Sequence, residues 1–202
     1  VVDTFHGLGG VYIADGVQPG FCRTGDAFWG LEHHGVVPDI VTSGKPMANG
    51  LPVSMMAASQ AVLDPFASSM AYFNTFGGNP VSMAAAQATL NYLRDNNIQE
   101  HVLRIGDRLR RELKKSSSTH PVIGDVRGSG LFTGCEIVHP GTKEPDARKT
   151  LDILEELRLN GVLTGTCGIN GNILKLRPPL VFSDDDVDFF MTAFEKAVSA
   201  VE

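Results

Sequence analysis

The apolar positions of this chain change rhythm along its length. In the first part they come in short runs separated by glycine and proline: residues 11 to 14, 37 to 42 and 53 to 58. Short β-rich runs bounded by turn residues predict strands, and Val11-Tyr12-Ile13-Ala14 reads as a buried parallel strand. From Asn79-Pro80 onward the spacing becomes helical. Proline suits a first helical turn, and Val81 through Leu93 is rich in helix formers. Val102, Leu103, Ile105, Leu109 and Leu113 then recur on one face of a helix over 98–115, with a basic stripe opposite that reads as a solvated face. Ser116 to Thr119 predicts a polar turn, 122–128 and 131–138 paired strands, Asp146 to Leu159 an amphipathic helix ended by Gly161, and 173–176 a further strand. Ser183 followed by three aspartates predicts an N-cap and first turn for a last helix running to Val201. The fold class is α/β, with a domain boundary at Asn96-Asn97 that divides the chain into 1–97 and 98–202.

Composition narrows the function. A chain of 202 residues, 43% hydrophobic and 20% charged, has enough apolar surface for one domain or two small ones. A net charge of −6 without a basic patch speaks against nucleic acid, and against an anionic membrane, as main partner. No apolar run approaches the length of a membrane span. Three cysteines without C-x-x-C spacing predict free thiols in a reducing compartment, hence the cytoplasm. The six histidines form no metal-ligand pattern, so no metal site is expected; His33-His34 reads as surface or loop-tip packing.

Candidate chemistry sits at the ends of the first strands. Asp15 ends the run 11 to 14, so its carboxylate points from the sheet's C-terminal edge into a crevice. Lys45 follows Gly44 where the run Ile40-Val41 gives way to a loop, a place where desolvation favours the neutral amine that a nucleophile needs. An anionic partner for a ring nitrogen and an amine for an aldehyde together suggest pyridoxal phosphate. Taken singly, each has a plainer reading: a turn cap for the aspartate, a solvated loop lysine for the other.

Five segments in order carry a family resemblance: Ile13-Ala14-Asp15-Gly16-Val17-Gln18 on to Gly25, Gly35 to Lys45, Phe73 to Pro80, Gly124 to Leu131, and Leu174-Lys175-Leu176-Arg177-Pro178-Pro179-Leu180. They resemble the class III aminotransferases, pyridoxal-phosphate enzymes of fold type I. The resemblance implies that 1–97 is part of the large cofactor-binding domain and 98–202 the small C-terminal α+β domain. It implies that Asp15 pairs with the pyridinium nitrogen, that Gln18 bonds the phenolic oxygen, and that Lys45 forms the Schiff base and then shuttles protons. Thr75, with the glycine-rich backbone around it, is implied to reach the phosphate of a partner subunit, which makes the enzyme a homodimer with shared active sites.

The segments 44–50 and 72–82 are most similar to the alanine-glyoxylate aminotransferase 2-like branch, which includes phospho-lyases acting on phosphorylated amines. Transfer of an amino group from an amine or amino acid to a 2-oxo acid, and elimination of phosphate, both stay open. Lys175 and Arg177 are the candidate substrate anchors: relatives place an arginine where Lys175 stands, and lysine suits phosphate as well as carboxylate. An edge-strand lysine kept for solubility is the other reading of Lys175. The chain departs from the family at Gly16, where the usual residue is glutamate; a flexible strand end is expected there. The resemblance also implies a protein more than twice this length, with a phosphate loop and a ring-stacking aromatic outside this chain, so a catalytically incomplete fragment is a third reading.

Overall fold

The computed structural model describes all 202 residues, which divide into two compact units, Val1–Gln99 and Glu100–Glu202. The first contains α1 (Val2–Gly7), β1 (Ile13–Asp15), β2 (Ile40–Ser43), β3 (Met55–Ala58), α2 (Gln60–Ser69) and α3 (Pro80–Asp95). β1 and β2 are parallel, with Asp15 opposite Thr42, and β3 runs antiparallel on the other side of β2. The strand positions agree with the apolar runs, but the burial does not. Ala14 is buried while Val11 and Ile13 are exposed, so β1 is covered on one face only.

Local chemistry sets several boundaries. Pro80 opens α3 as expected, and the Asn79 side chain accepts from the Ser82 amide, which satisfies one of the unpaired N–H groups of the first turn. α1 and α2 bury none of their residues, and α2 carries Pro65 inside it. The sequence reading passes over both, α1 because it is only six residues long and α2 because Pro65 interrupts the pattern that Val62, Leu63 and Phe66 form. Gly16 overturns the expectation of flexibility. Its amide donates to the Thr42 carbonyl at 2.8 Å, and a Cβ there would lie 3.1 Å from that oxygen and 3.2 Å from the Trp29 ring. Trp29 packs edge-on against Phe21 and Phe28, at centroid distances of 5.6 and 5.0 Å, and this cluster fills the space beside the strand end.

The second unit holds most of α4 (Ile98–Ser116), then β4 (Ile123–Ser129), β5 (Phe132–Ile137), α5 (Ala147–Leu159), β6 (Gly165–Cys167), β7 (Ile173–Leu176) and α6 (Asp184–Val201). The sheet order is β4-β5-β7-β6, antiparallel throughout. One face buries Val126, Cys135, Ile137, Leu174 and Leu176 in a core shared with Ile105, Leu109, Ile153, Val187 and Phe194 of the helices. By the two-residue alternation of strands, Arg127, Glu136, Lys175 and Arg177 lie on the other face. α6 begins as predicted, and Ser183 and Asp186 form a reciprocal capping box. β6 was not anticipated, because three residues show no period of their own.

The C-terminal turn of α6 is strapped down by side chains. His120 is buried between two carboxylates, with Nδ1 at 2.7 Å from Glu202 and Nε2 at 2.8 Å from Glu195. Ser116 Oγ donates to Glu195, and Lys149 Nζ donates to the Val201 carbonyl. Burial alone would lower the proton affinity of His120, but the hydrogen bonds and charges of Glu202 and Glu195 outweigh it and the pKa is raised above 6.5. A raised folded-state pKa gives stability that is complete below the unfolded value and is lost as pH rises through the folded value. The stability advantage of the wild type over His120→Gln is therefore expected to be largest near pH 6 and to shrink by about pH 9. Urea unfolding of both proteins at the two pH values checks this; a constant difference contradicts it.

Candidate functional site

The first unit places three candidate residues at one edge of its sheet. Asp15 is the last residue of β1, in register with Thr42, and Lys45 follows Thr42 by three positions as the first residue of a short 3-10 helix, Lys45–Ala48. Because β1 and β2 are parallel, both chains leave the sheet at the same C-terminal edge, where open α/β sheets place their ligands. Asp15 Oδ1 accepts from the Val17 amide at 3.0 Å, so the turn-capping role is present, while Oδ2 has no partner within the chain. Gln18 follows in the same turn and is exposed. Lys45 is exposed rather than desolvated, and its ammonium has no partner in the chain. Ser43, two residues earlier, is buried with its hydroxyl unpaired, a position that sequence reasoning passed over because serine at a strand end usually bonds its own turn.

Thr75 lies in an exposed turn shaped by its neighbour. Asn74 Oδ1 accepts from the Phe76 and Gly77 amides at 3.2 and 2.9 Å. These two amides are thus engaged, which narrows the expectation that the glycine-rich backbone serves an anion to the Thr75 hydroxyl and the amides of Thr75 and Gly78. The same segment exposes Tyr72 at 73%, Phe73 at 85% and Phe76 at 81%, with Val81 beside them at 69%.

In the second unit, a cleft of about 480 Å³ is lined by Lys175, Arg177, Pro178, Pro179, Phe182 and Leu163, among others. β7 is flanked by β5 and β6, so Lys175 stands on an inner strand, opposite Gly134 and Gly165. That removes the reading of Lys175 as an edge-strand lysine. Neither neighbouring glycine has a side chain to cover it, and its ammonium has no partner in the chain. Arg177 stacks over the Phe132 ring, its guanidinium carbon 4.2 Å from the centroid, where burial pulls its pKa down, countered by the nearby Cys167. Arg127 on the same face is already held by Asp125 and Glu136, and Glu136 also accepts from Asn172. Phe132 was not singled out from the sequence, since only the strand register brings it beside Arg177.

All three cysteines are free thiols, as expected, and Cys135 is buried so deeply that its pKa is pushed up to about 12. No group of histidine, cysteine and acidic side chains could hold a metal ion. His33 meets Asp26 and packs edge-on against His34. No helix is long and apolar enough to cross a membrane.

Comparison with known proteins places this arrangement. Alanine–glyoxylate aminotransferase 2 homolog 2, mitochondrial, of Arabidopsis thaliana is 42% identical over 198 residues, which are 98% of this chain and 41% of that protein. Ethanolamine-phosphate phospho-lyase homolog 1 of Caenorhabditis elegans is 40% identical over 95% of this chain and 42% of its own length. An Arthrobacter phospholyase solved in complex with phosphoethanolamine superposes with a TM-score of 0.93 at 37% identity, over 96% of this chain and 46% of that one. The chain thus spans less than half the length of these relatives. The model of the class III aminotransferases matches residues 8–198, and with that match and these likenesses the chain belongs to the class III aminotransferase family.

Proposed function

We propose that this chain is the lysine-bearing, C-terminal portion of a pyridoxal-phosphate-dependent class III aminotransferase that moves an amino group from an amine or amino acid to a 2-oxo acid. The observation that carries the reading is the placement of Asp15 and Lys45, both with unpaired polar atoms, at one C-terminal edge of two parallel strands in a chain of this family. The donor set fits the cofactor: Lys45 would hold it covalently, Asp15 at its ring nitrogen, Gln18 at its phenolic oxygen, and Thr75 at the phosphate of a partner subunit. When bound, the cofactor supplies an electron sink for the carbanion at the substrate α-carbon. Asp15 would hold a proton on the ring nitrogen, and Lys45 Nζ would take the proton from the substrate α-carbon and pass it to the cofactor rather than back to that carbon, as amino transfer requires. In this reading 1–97 is the cofactor-binding portion and 98–202 the small domain.

Lys175 and Arg177 are proposed to hold the anionic group of the substrate. A lysine without an internal partner on an inner strand also favours a second reaction, elimination of phosphate from a phosphorylated amine, as the likeness to a phospholyase bound to phosphoethanolamine suggests. The exposed aromatic segment around Thr75 is proposed as the contact surface of a homodimer, because apolar groups this exposed and contiguous mark interaction sites. Free thiols favour the cytoplasm; the relative named as mitochondrial makes the mitochondrion the competing address, which cell fractionation would distinguish.

The test compares Asp15→Asn with Gln18→Ala in the holoenzyme, assayed for amino transfer and, separately, for released phosphate. Loss of one neutral hydrogen bond at Gln18 costs about 0.5 to 1.5 kcal/mol, or about two- to thirteenfold in rate. Loss of the carboxylate at the ring nitrogen is expected to cost about a hundredfold or more. Equal effects would contradict the division of roles. A wild type inactive in both assays would leave only the reading of a catalytically incomplete chain.

A further inference from the structure

The turn that follows β7 walls the cleft of the second unit, and α4 holds that turn at its far end. His101 Nε2 donates to the Phe182 carbonyl at 2.9 Å, and Arg104 donates to Asp184 Oδ2 at 2.8 Å. Arg108 donates through one nitrogen to both Asp184 Oδ1, at 2.8 Å, and the Asp184 carbonyl, at 2.7 Å, and through the other to Asp188. Spacings of three and four residues put 101, 104 and 108 on one stripe of the helix. Part of the basic stripe of α4 is therefore a clamp, while Arg111, Lys114 and Lys115 remain an exposed face as expected.

Between Arg177 and Asp184 the chain has little freedom. Pro178 and Pro179 fix their φ angles, the Phe182 amide donates to the Pro179 carbonyl, and Ser183 caps α6. A shift at Asp184 is thus passed to Pro178, Pro179 and Phe182, which line the cleft, and to Arg177 beside them. Leu109, next to Arg108 on α4, lines the same cleft, so the clamp joins two of its walls. Isolated surface ion pairs contribute little to stability, but this set also ties down two main-chain carbonyls.

We propose that Arg108, supported by Arg104 and His101, is a positioning residue for the anion subsite of this cleft: it touches no ligand and holds the turn bearing Arg177 at the separation from Lys175 that an anion needs. This rests on the reading of Lys175 and Arg177 as anion holders. The charges of the clamp give it a distinctive test. Two guanidiniums face two carboxylates and cancel, so neutral variants on its two sides change the local charge in opposite directions while both weaken the side-chain contacts between Arg108 and the aspartates.

Inorganic phosphate is titrated into the 202-residue chain at low ionic strength, and binding is followed by calorimetry for wild type, Lys175→Gln, Arg108→Gln, Arg108→Lys, Asp184→Asn and Asp188→Asn. Pre-organisation predicts that Arg108→Gln and Asp184→Asn both weaken phosphate binding by about fivefold or more, with Arg108→Lys intermediate because it keeps the charge but not the fork. Asp188→Asn, on a more exposed carboxylate, is the milder variant should Asp184→Asn not fold, and the same direction is expected from it. If Arg108→Gln weakens binding while the aspartate variants strengthen it, the effect is long-range charge and the clamp is overturned. If Lys175→Gln loses binding and the clamp variants do not, the clamp is overturned while the anion subsite stands. If Lys175→Gln binds as wild type, the anion subsite itself falls.

Discussion

Lys45→Ala is expected to abolish the borohydride-reducible pyridoxal phosphate adduct at this position and all turnover, while leaving the fold intact. The two halves of the expectation have separate physical grounds. The amine is the group in the site that can condense with an aldehyde and then move a proton, and no neighbouring side chain offers a substitute at that strand end. Its removal costs the fold little, because Lys45 is exposed and has no hydrogen-bond or ion-pair partner in the chain. Surface substitutions of this kind shift stability by about 0.5 kcal/mol or less. Peptide mapping after reduction, together with a urea melt, reads both halves. An adduct retained at wild-type yield in the variant would sink the assignment of the Schiff-base lysine; an unfolded variant would mean that Lys45 has a structural role the contacts do not show.

Gly106→Ala is expected to destabilise the second unit by about 3 kcal/mol or more, against the ordinary preference of helices for alanine. Gly106 lies inside α4, where replacement of glycine by alanine normally stabilises by about 1 kcal/mol. Here a Cβ would stand 2.0 Å from the Gly130 carbonyl oxygen and 2.3 Å from its carbon, both main-chain atoms that no rotamer change can move aside. Gly130 sits between β4 and β5 with φ of +50°, and its oxygen also accepts from the buried Arg110. Relief would require α4 to lift from the hairpin, which would disturb Arg110 and the apolar stripe of α4. The clash therefore outweighs the propensity gain. Denaturant unfolding followed by far-UV circular dichroism decides the sign, and a variant more stable than wild type would show that the helix shifts without cost.

Much of the secondary structure was legible because its causes are local. Asn79-Pro80 opening α3, Asp146 accepting from the Lys149 amide at the start of α5, and the Ser183 capping box each satisfy a helix end with groups within three residues. The buried residues Val102, Ile105, Leu109 and Leu113 of α4 follow from helical period, whereas Leu103, expected with them, is exposed because it lies one residue, about 100°, round the helix from Val102. Of the candidate residues, Asp15 and Lys45 are placed by the strand ends they follow, whereas Gln18 and Thr75 are named through the family resemblance alone, and the roles of all four belong to the proposal. Where the local signal was absent or broken, so was the expectation: β6 exists because β7 offers it a pairing edge, and α2 carries a proline in its interior that reads as a break.

What only the tertiary structure decided depends on residues far apart in the chain. Sequence order does not reveal that β7 lies between β5 and β6, and this placement turns Lys175 from an edge lysine into a cation on an inner strand. Gly16 reads as slack until Trp29 is seen against it, and Gly106 reads as a helix defect until Gly130 is seen 2.0 Å from where its Cβ would be. Arg108 looks like one more charge on a solvated face, yet its partners are 76 and 80 residues away. Periodicity and capping are interactions within a turn or two, so a sequence displays them directly. Strand order, close backbone approach and long-range ion pairing arise only when the apolar faces have been buried against each other, and that burial determines which distant groups meet.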